Sequence, residues 1–200
     1  MPVFTPSTIA ALVIAASFAA GLNVYATVLT LGLLAHTHWV ALPHGLEMLG
    51  AWWVIAVCAV LFAMEFVADK IPGLDMVWNA FHTFIRIPVA ALLAYRATAH
   101  LSPEMQLLAT VAGAGIALVA HSSKTAVRAV VTPSPEPASN IALSTTEDGL
   151  AIGLTWLATR HPFTAAGIAI VLVILALLAA RWLVRTLRET WRKMTAAIAT

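Results

Sequence analysis

The chain has 200 residues, 61% hydrophobic and 10% charged, with 11 lysines and arginines against 9 aspartates and glutamates and a mean hydropathy of +0.91. A soluble domain carries about 25% charged residues, so this composition cannot clothe a water-facing surface, and it supplies no basic face for nucleic acid. At roughly 20 residues per membrane crossing, the length holds about five or six spans in one domain, 1–200, with no room for a separate soluble domain.

Residues 1–20 are apolar, lack a positive start and run on into further apolar sequence, which reads as a retained helix and not a cleaved signal peptide. The first span is expected over 8–35, with Gly21, Leu22 and Asn23 near its middle, where it is tilted or locally unwound. A loop over 36–50 follows, carrying Trp39, Pro43 and the histidines His36, His38 and His44. No acidic or cysteine partner is spaced to complete a tetrahedral metal site with them. The lone cysteine, Cys58, excludes an intrachain disulfide and leaves the redox compartment unread. A second span over 51–68 ends at Asp69-Lys70-Ile71-Pro72-Gly73, where Pro and Gly stop a helix.

Residues 75–86 mix Met76, Phe81, Phe84 and Ile85 with polar side chains. They read either as an interfacial or re-entrant helix or as the buried start of a third span reaching 98 and kinked at Pro88. Ser102, Pro103 and Glu104 form an N-cap, a proline at the first helical position and an early acid. The fourth span covers 105–131, where Gly113 and Gly115 suit close helix packing. The proline-rich stretch 132–138 stops it. A fifth span over 150–159 reaches membrane length only if its helix starts near Asn140 and buries Glu147 and Asp148. A sixth covers 163–184, and the basic end of the chain carries Arg181, Arg185, Arg188, Arg192 and Lys193 with Trp182 and Trp191 at the interface.

The expected fold is therefore all-α, a polytopic membrane helix bundle of about six spans. Two inverted three-helix halves, 8–98 and 102–186, are one organisation for it, followed by a basic tail over 187–200. A short echo motivates the halves: His82 stands four before Arg86 as Lys124 stands four before Arg128. The basic tail places the C-terminus in the cytoplasm, and an even number of spans places the N-terminus there too. Lys70, Arg86, Lys124 and Arg128 then fall toward the inner side, and Arg96 and Arg160 outside.

Three polar constellations carry the candidate chemistry. Glu65 and Asp69 share one helix face, with Lys70 and Asp75 close behind. Two carboxylates on one face in a low dielectric repel unless a proton or cation intervenes. A charge at bilayer depth costs at least about 2.5 kcal/mol, so these acids suggest a cation or proton site or half of an ion-pair network; a helix end reaching headgroups is the bland reading. His121, Lys124 and Arg128 form a basic face that suits those carboxylates or an anion, or serves as ordinary positive-inside anchoring. Asn140, Ser144, Glu147 and Asp148 make a polar half-helix, either coordinating or simply solvated. Asn23, with Tyr25, Thr27 and Thr30, puts a polar stripe on the first span, which hydrogen bonds between helices would also explain.

No H-E-x-x-H, G-x-S-x-G or phosphate-loop motif occurs, and Ser122 and Ser123 beside Lys124 point away from it. A non-enzymatic protein without a cofactor is expected.

The run from Glu65 to Asn79, E-F-V-A-D-K-I-P-G-L-D-M-V-W-N, resembles the hallmark of a bacterial membrane-protein family known only as a domain of unknown function, in the four-thousand series. The resemblance extends through Gly21-Leu22-Asn23, His82 with Arg86, His121-Ser122-Ser123-Lys124 with Arg128, and 140–148. It implies an inner-membrane protein and supplies no substrate; family members show Arg where Asn23 stands here, so the resemblance implies no charged role at this position. The acids at the helix end also bear a faint resemblance to cation exporters of two three-helix repeats with an E-x-G-D-[KR] motif. Here the acids are four apart and the glycine is missing, which leaves analogy alone.

The leading functional expectation is a small secondary transporter or exchanger of an ion or small solute, multi-pass in the bacterial inner membrane. Glu65, Asp69 and Asp75 would act as carboxylates, Arg86, Lys124 and Arg128 as their counter-charges, and Asn23, Asn140 and Ser144 as neutral ligands, with Gly21 and Pro72 permitting helix breaks. Its partners would be the bilayer and the transported species, and a homo-oligomer fits as well. Two alternatives stay open: a protein that binds or translocates a lipid through its phosphate, and a structural or assembly subunit whose ion pairs only fix helix register.

Overall fold

The computed structural model describes residues 4–71, 73–131 and 137–198. Seven α-helices follow in order: α1 (Pro6–Leu22), α2 (Val24–His36), α3 (Trp52–Ala68), α4 (Leu74–Ala97), α5 (Pro103–Val131), α6 (Pro137–Arg160) and α7 (Pro162–Ile198), with a 3-10 helix over His44–Gly50. No strand occurs among the described residues, and the chain is the polytopic helical bundle its composition implies.

Local chemistry sets the helix ends. Pro6, Pro103, Pro137 and Pro162 each open a helix, where the missing N–H is no loss. Thr5 caps α1 by accepting from the Thr8 N–H at 3.3 Å. Gly73, at φ +87°, takes the left-handed backbone that starts α4. Residues 75–86 are the opening turns of α4, which continues through Pro88 to Ala97. The proline-rich stop at 132–136 and Pro72 lie outside the described residues, as do the side chains of Arg192 and Lys193.

The first apolar segment is not one span. Asn23 is extended, at φ −148° and ψ 105°, and serves both neighbouring helices. Its N–H donates to the Ala19 carbonyl at 2.9 Å, ending α1, and its Oδ1 accepts from the Ala26 N–H at 2.9 Å, capping α2. The chain then folds back. Phe4, Thr8 and Leu12 line one cavity of about 220 Å³ together with Val40, Ala41 and Leu42, which directly follow α2. A straight helix from Thr8 to His36 would hold those ends roughly 40 Å apart. The α1–α2 pair is thus a re-entrant hairpin with its apex inside the bundle.

The small residues of α1 seat this hairpin. A Cβ on Gly21 would stand 2.6 Å from the Ala117 carbonyl oxygen and 2.7 Å from the Ala120 Cβ, so glycine allows the α1 and α5 backbones to touch. Gly21 is a packing residue, and the break expected there falls on Asn23. Gly113 does similar work, facing Ala94 and Ser17, whereas a Cβ on Gly115 would meet nothing within 4 Å. The packing role expected of Gly115 is therefore absent. Around central α1 pack α4, α5, α6 and α7, while α2 packs on α3 and the 3-10 helix.

Helices α4, α5 and the first part of α7 (Pro162–Thr186) are long and apolar enough to cross a membrane, and the 3-10 helix with α3, bent by 68°, makes a fourth candidate. Helix α6 has a membrane-spanning length but carries Glu147 and Asp148. Val171, Ile174, Leu175 and Leu178 of α7 are exposed, as are Leu107, Leu108 and Val111 of α5. In water such a surface would aggregate, whereas lipid solvates it.

The two outer ends of the hairpin lie at the same end of the bundle. Phe4 lies beside Arg160 and Pro162, the start of α7, and α7 runs on for 37 residues. The described ends of the chain therefore sit at opposite ends of the bundle.

Candidate functional site

The antiparallel course of the helices places the C-terminal end of α3, the N-terminal half of α4, the C-terminal half of α5 and the N-terminal half of α6 at one level, where the hairpin apex meets them. Each helix presents a stripe there at spacings of three and four residues. On α4 it is Asp75, Asn79, His82 and Arg86; on α5, His121, Lys124 and Arg128; on α6, Asn140, Ser144, Glu147 and Asp148; on α3, Glu65 and Asp69. All of these side chains are buried, and Glu65, Asp69, Asp75 and Arg86 are 0% exposed.

The stripes meet as one ion-pair network. Arg86 donates from Nη2 to Glu65 Oε1, and from Nη1 to Asn79 Oδ1 and His121 Nδ1, each at 2.9 Å. Lys124 Nζ stands 2.9 Å from Asp69 Oδ2, 3.3 Å from Glu147 Oε2 and 3.6 Å from Glu65 Oε1. It also donates to the Leu22 carbonyl at 3.1 Å. That carbonyl belongs to the last turn of α1, where the helix dipole is negative, so the ammonium also secures the hairpin apex. Arg128 pairs with Glu147, with Asp69 Oδ2 at 2.9 Å and with Asp75 Oδ2 at 3.5 Å.

The main-chain end of α3 is bound into the same network. The Asp69 carbonyl accepts from Arg128 Nη1 and Asn140 Nδ2, both at 3.2 Å. Asp75 Oδ1 accepts from the N–H groups of Gly73 and Met76, at 3.0 and 2.7 Å, which ties the start of α4 to Arg128. Asn23, on the apex, donates from Nδ2 to Asp148 Oδ1 at 2.8 Å. Ser144 stands 3.4 Å from Lys70 Nζ, whose ammonium lies over the Phe66 ring at the rim of the site. Asn23, Glu65, Asp69, Asp75, Arg86, His121, Lys124, Arg128, Asn140, Ser144, Glu147 and Asp148 thus lie in or beside one cluster.

Asn79, Thr83, His82 and Tyr25 also belong to it. Asn79 orients Arg86. Thr83 donates to the Asn79 carbonyl at 3.3 Å and stands 2.7 Å from His121 Nε2. His82 lies between the Trp78 carbonyl, 2.7 Å from its Nδ1, and the Tyr25 hydroxyl, 3.1 Å from its Nε2, and stacks on the Trp78 ring. The spacing of Asn79 and His82 between Asp75 and Arg86 is the signal that identifies both; Tyr25 belongs to the polar stripe read with Asn23, and Thr83 has no such signature.

The hydrogen-bond partners assign both nitrogens of His121 and Nδ1 of His82. Arginine only donates, so His121 Nδ1 accepts and its Nε2 carries the proton given to Thr83. A carbonyl only accepts, so His82 Nδ1 carries a proton, and with the ring neutral its Nε2 accepts from the Tyr25 hydroxyl. Both rings are satisfied as neutral groups. Among the described residues no group of His, Cys, Asp and Glu has the geometry to hold a metal ion. His36 and His44 have other partners, the Gly50 carbonyl and the Glu47 carboxylate.

Several buried atoms are left without a hydrogen-bond partner: Glu65 Oε2, Asp69 Oδ1, Asp148 Oδ2, Asn140 Oδ1, Arg86 Nε and Trp78 Nε1. Most of them are acceptor oxygens, so the network is short of donors, not of carboxylates.

The fold and the site together define a class: a polytopic membrane-type helix bundle with a closed acid–base cluster at the apex of a re-entrant hairpin. Within that class, the family model described as domain of unknown function DUF4126 matches residues 10–182, and the chain belongs to that family. The match covers the whole cluster, from Asn23 to Asp148. No curated protein and no solved structure matches the chain.

Proposed function

We propose that this chain is a small secondary transporter or exchanger of an ion or small solute, and that the cluster around the hairpin apex is its transport site. One observation carries the reading. The Lys124 ammonium reaches three carboxylates, Asp69, Glu147 and Glu65, and the Leu22 carbonyl of the apex, all within 3.6 Å. A cation held among more anions than it can neutralise has alternative partners of similar energy, which is the property a site needs to exchange one occupant for another. Broken helices at such a site supply polar groups to a permeant species in many secondary transporters.

The reading includes no catalytic step. It takes the protein to lie in the bacterial inner membrane, and the exposed Arg181, Arg185 and Arg188 of α7 support a cytoplasmic position for the charged end of the bundle. Arg96 and Arg160 remain at the far end. The lipid-phosphate alternative has less support, because Arg86, Lys124 and Arg128 are buried and already engaged by carboxylates.

The test is flux. Purified protein in proteoliposomes loaded with pyranine is exposed in turn to gradients of sodium, potassium, magnesium, chloride and phosphate. The reading expects a dye response or tracer uptake to at least one of them, lost in Glu65→Gln and Asp69→Asn. Flux unchanged in both variants removes these carboxylates from the mechanism, and no flux for any species counts against transport.

A further inference from the structure

The buried charges of the cluster do not balance. The carboxylates of Glu65, Asp69, Asp75, Glu147 and Asp148 face the cations of Arg86, Lys124 and Arg128, and both histidines are satisfied as neutral rings. Lys70 stands at the rim, bonded to the Phe66 carbonyl and Ser144, and even when it is counted one negative charge is left over. Uncompensated charge in a low-dielectric interior costs several kcal/mol, and a group in that position takes up a proton or a cation instead.

The geometry singles out the group. Glu65, Asp69, Asp75 and Glu147 each have a guanidinium or ammonium within 3.6 Å. Asp148 has no ion pair within 4.0 Å among the described residues. Its Oδ1 accepts from the neutral amide of Asn23, and its Oδ2 has no hydrogen-bond partner. The charged and titratable groups facing this region are Glu65 and Asp69 from α3, Lys70 from the following turn, Asp75, His82 and Arg86 from α4, His121, Lys124 and Arg128 from α5, and the neighbouring Glu147. From the hairpin come the uncharged Asn23 and Tyr25, and α7 has no ionisable residue over 163–180. Among the described residues no group of His, Cys, Asp and Glu there could hold a metal cation.

We infer that the cluster binds one proton, on Asp148 Oδ2, in the closed arrangement seen here, and that a proton is the ion this site exchanges. The first half stands on the charge count and the orphan oxygen; the second rests on the transport reading. The neutral acid keeps the Asn23 bond and removes the surplus charge. Release of the proton leaves a carboxylate against the apex with only an amide to hold it, which favours drawing Lys124 from the Leu22 carbonyl toward α6 and so loosens the hairpin.

The test is infrared spectroscopy of the full chain in lipid nanodiscs at neutral pH. Wild type is expected to show a carboxylic-acid C=O band that shifts in D2O, vanishes in Asp148→Asn and persists in Glu47→Gln, an exposed carboxylate. Asparagine mimics the neutral acid, so Asp148→Asn is expected to unfold within a few degrees of wild type. Wild type alone gives a second readout: raising the pH should remove the band and release one proton per chain to an indicator dye. No band in wild type, an unchanged band in Asp148→Asn, or sodium-dependent stabilisation without a band overturns the inference. A band without any flux leaves the proton site standing and defeats transport; flux without a band, indifferent to the pH gradient, does the reverse.

Discussion

Asn23 Nδ2 lies 2.8 Å from Asp148 Oδ1, a bond that joins positions 125 residues apart and fixes the tip of the hairpin to α6. The same side chain caps α2 through the Ala26 N–H. Asn23→Ala removes both contacts. Losing a cap costs about 1 kcal/mol, and a buried acceptor left unpaired costs about 1–3 kcal/mol. Thermal unfolding in detergent should show a clear drop, whereas Thr30→Ala, which deletes only a bond to its own helix at Ala26, should change little.

Arg86 and Glu65 have no exposed surface and form an ion pair. Removing one member leaves a buried charge, a loss of about 3–5 kcal/mol. Arg86→Met and Glu65→Leu should each be strongly destabilised, and the double variant should recover most of the loss. A double-mutant cycle from unfolding data checks this; additive losses would show that the two groups are not coupled.

Two glycines of the bundle should respond in opposite directions. Gly21→Val forces side-chain atoms into the α5 backbone, where even a Cβ stands 2.6 Å from the Ala117 oxygen, and overpacking of this kind costs about 1–3 kcal/mol or more. Gly115 faces open space, so Gly115→Ala gains about 0.5–1 kcal/mol from reduced chain entropy. Melting temperatures of the two variants decide it.

The hairpin makes a topological prediction. In a Cys58→Ala background, a cysteine at Thr5 and one at Arg188 should react with an impermeant maleimide from opposite sides of the membrane. Labelling of both from one side would show that α1 and α2 form a full crossing.

Periodicity explains what was legible in the sequence. The shared faces of Glu65 with Asp69, of His121, Lys124 and Arg128, and of Asn140 with Ser144 follow from spacings of three and four residues, and Gly21-Leu22-Asn23 marks a break. The direction of the chain after that break could not be read. An apolar segment has the same composition whether it crosses the membrane or turns back, and the turn depends on packing of Gly21 against α5 and of α2 against α3. Gly115 looks like Gly113 in sequence because spacing does not say which side of α5 faces a neighbour. Asn79 was missed although it lies on the α4 stripe, since a neutral amide among charges carries no chemical signature of its own. Pairing within the cluster depends on side-chain reach between helices, which no single segment encodes.

The central claim is that the buried charges do more than hold helices in register. The most direct measurement is flux through proteoliposomes of the Glu65→Leu, Arg86→Met double variant, driven by whichever gradient moves the wild type and accompanied by an unfolding curve. A folded protein with flux lost is the predicted result. A folded double variant that transports as fast as wild type would contradict it, and would reduce the network to a structural device.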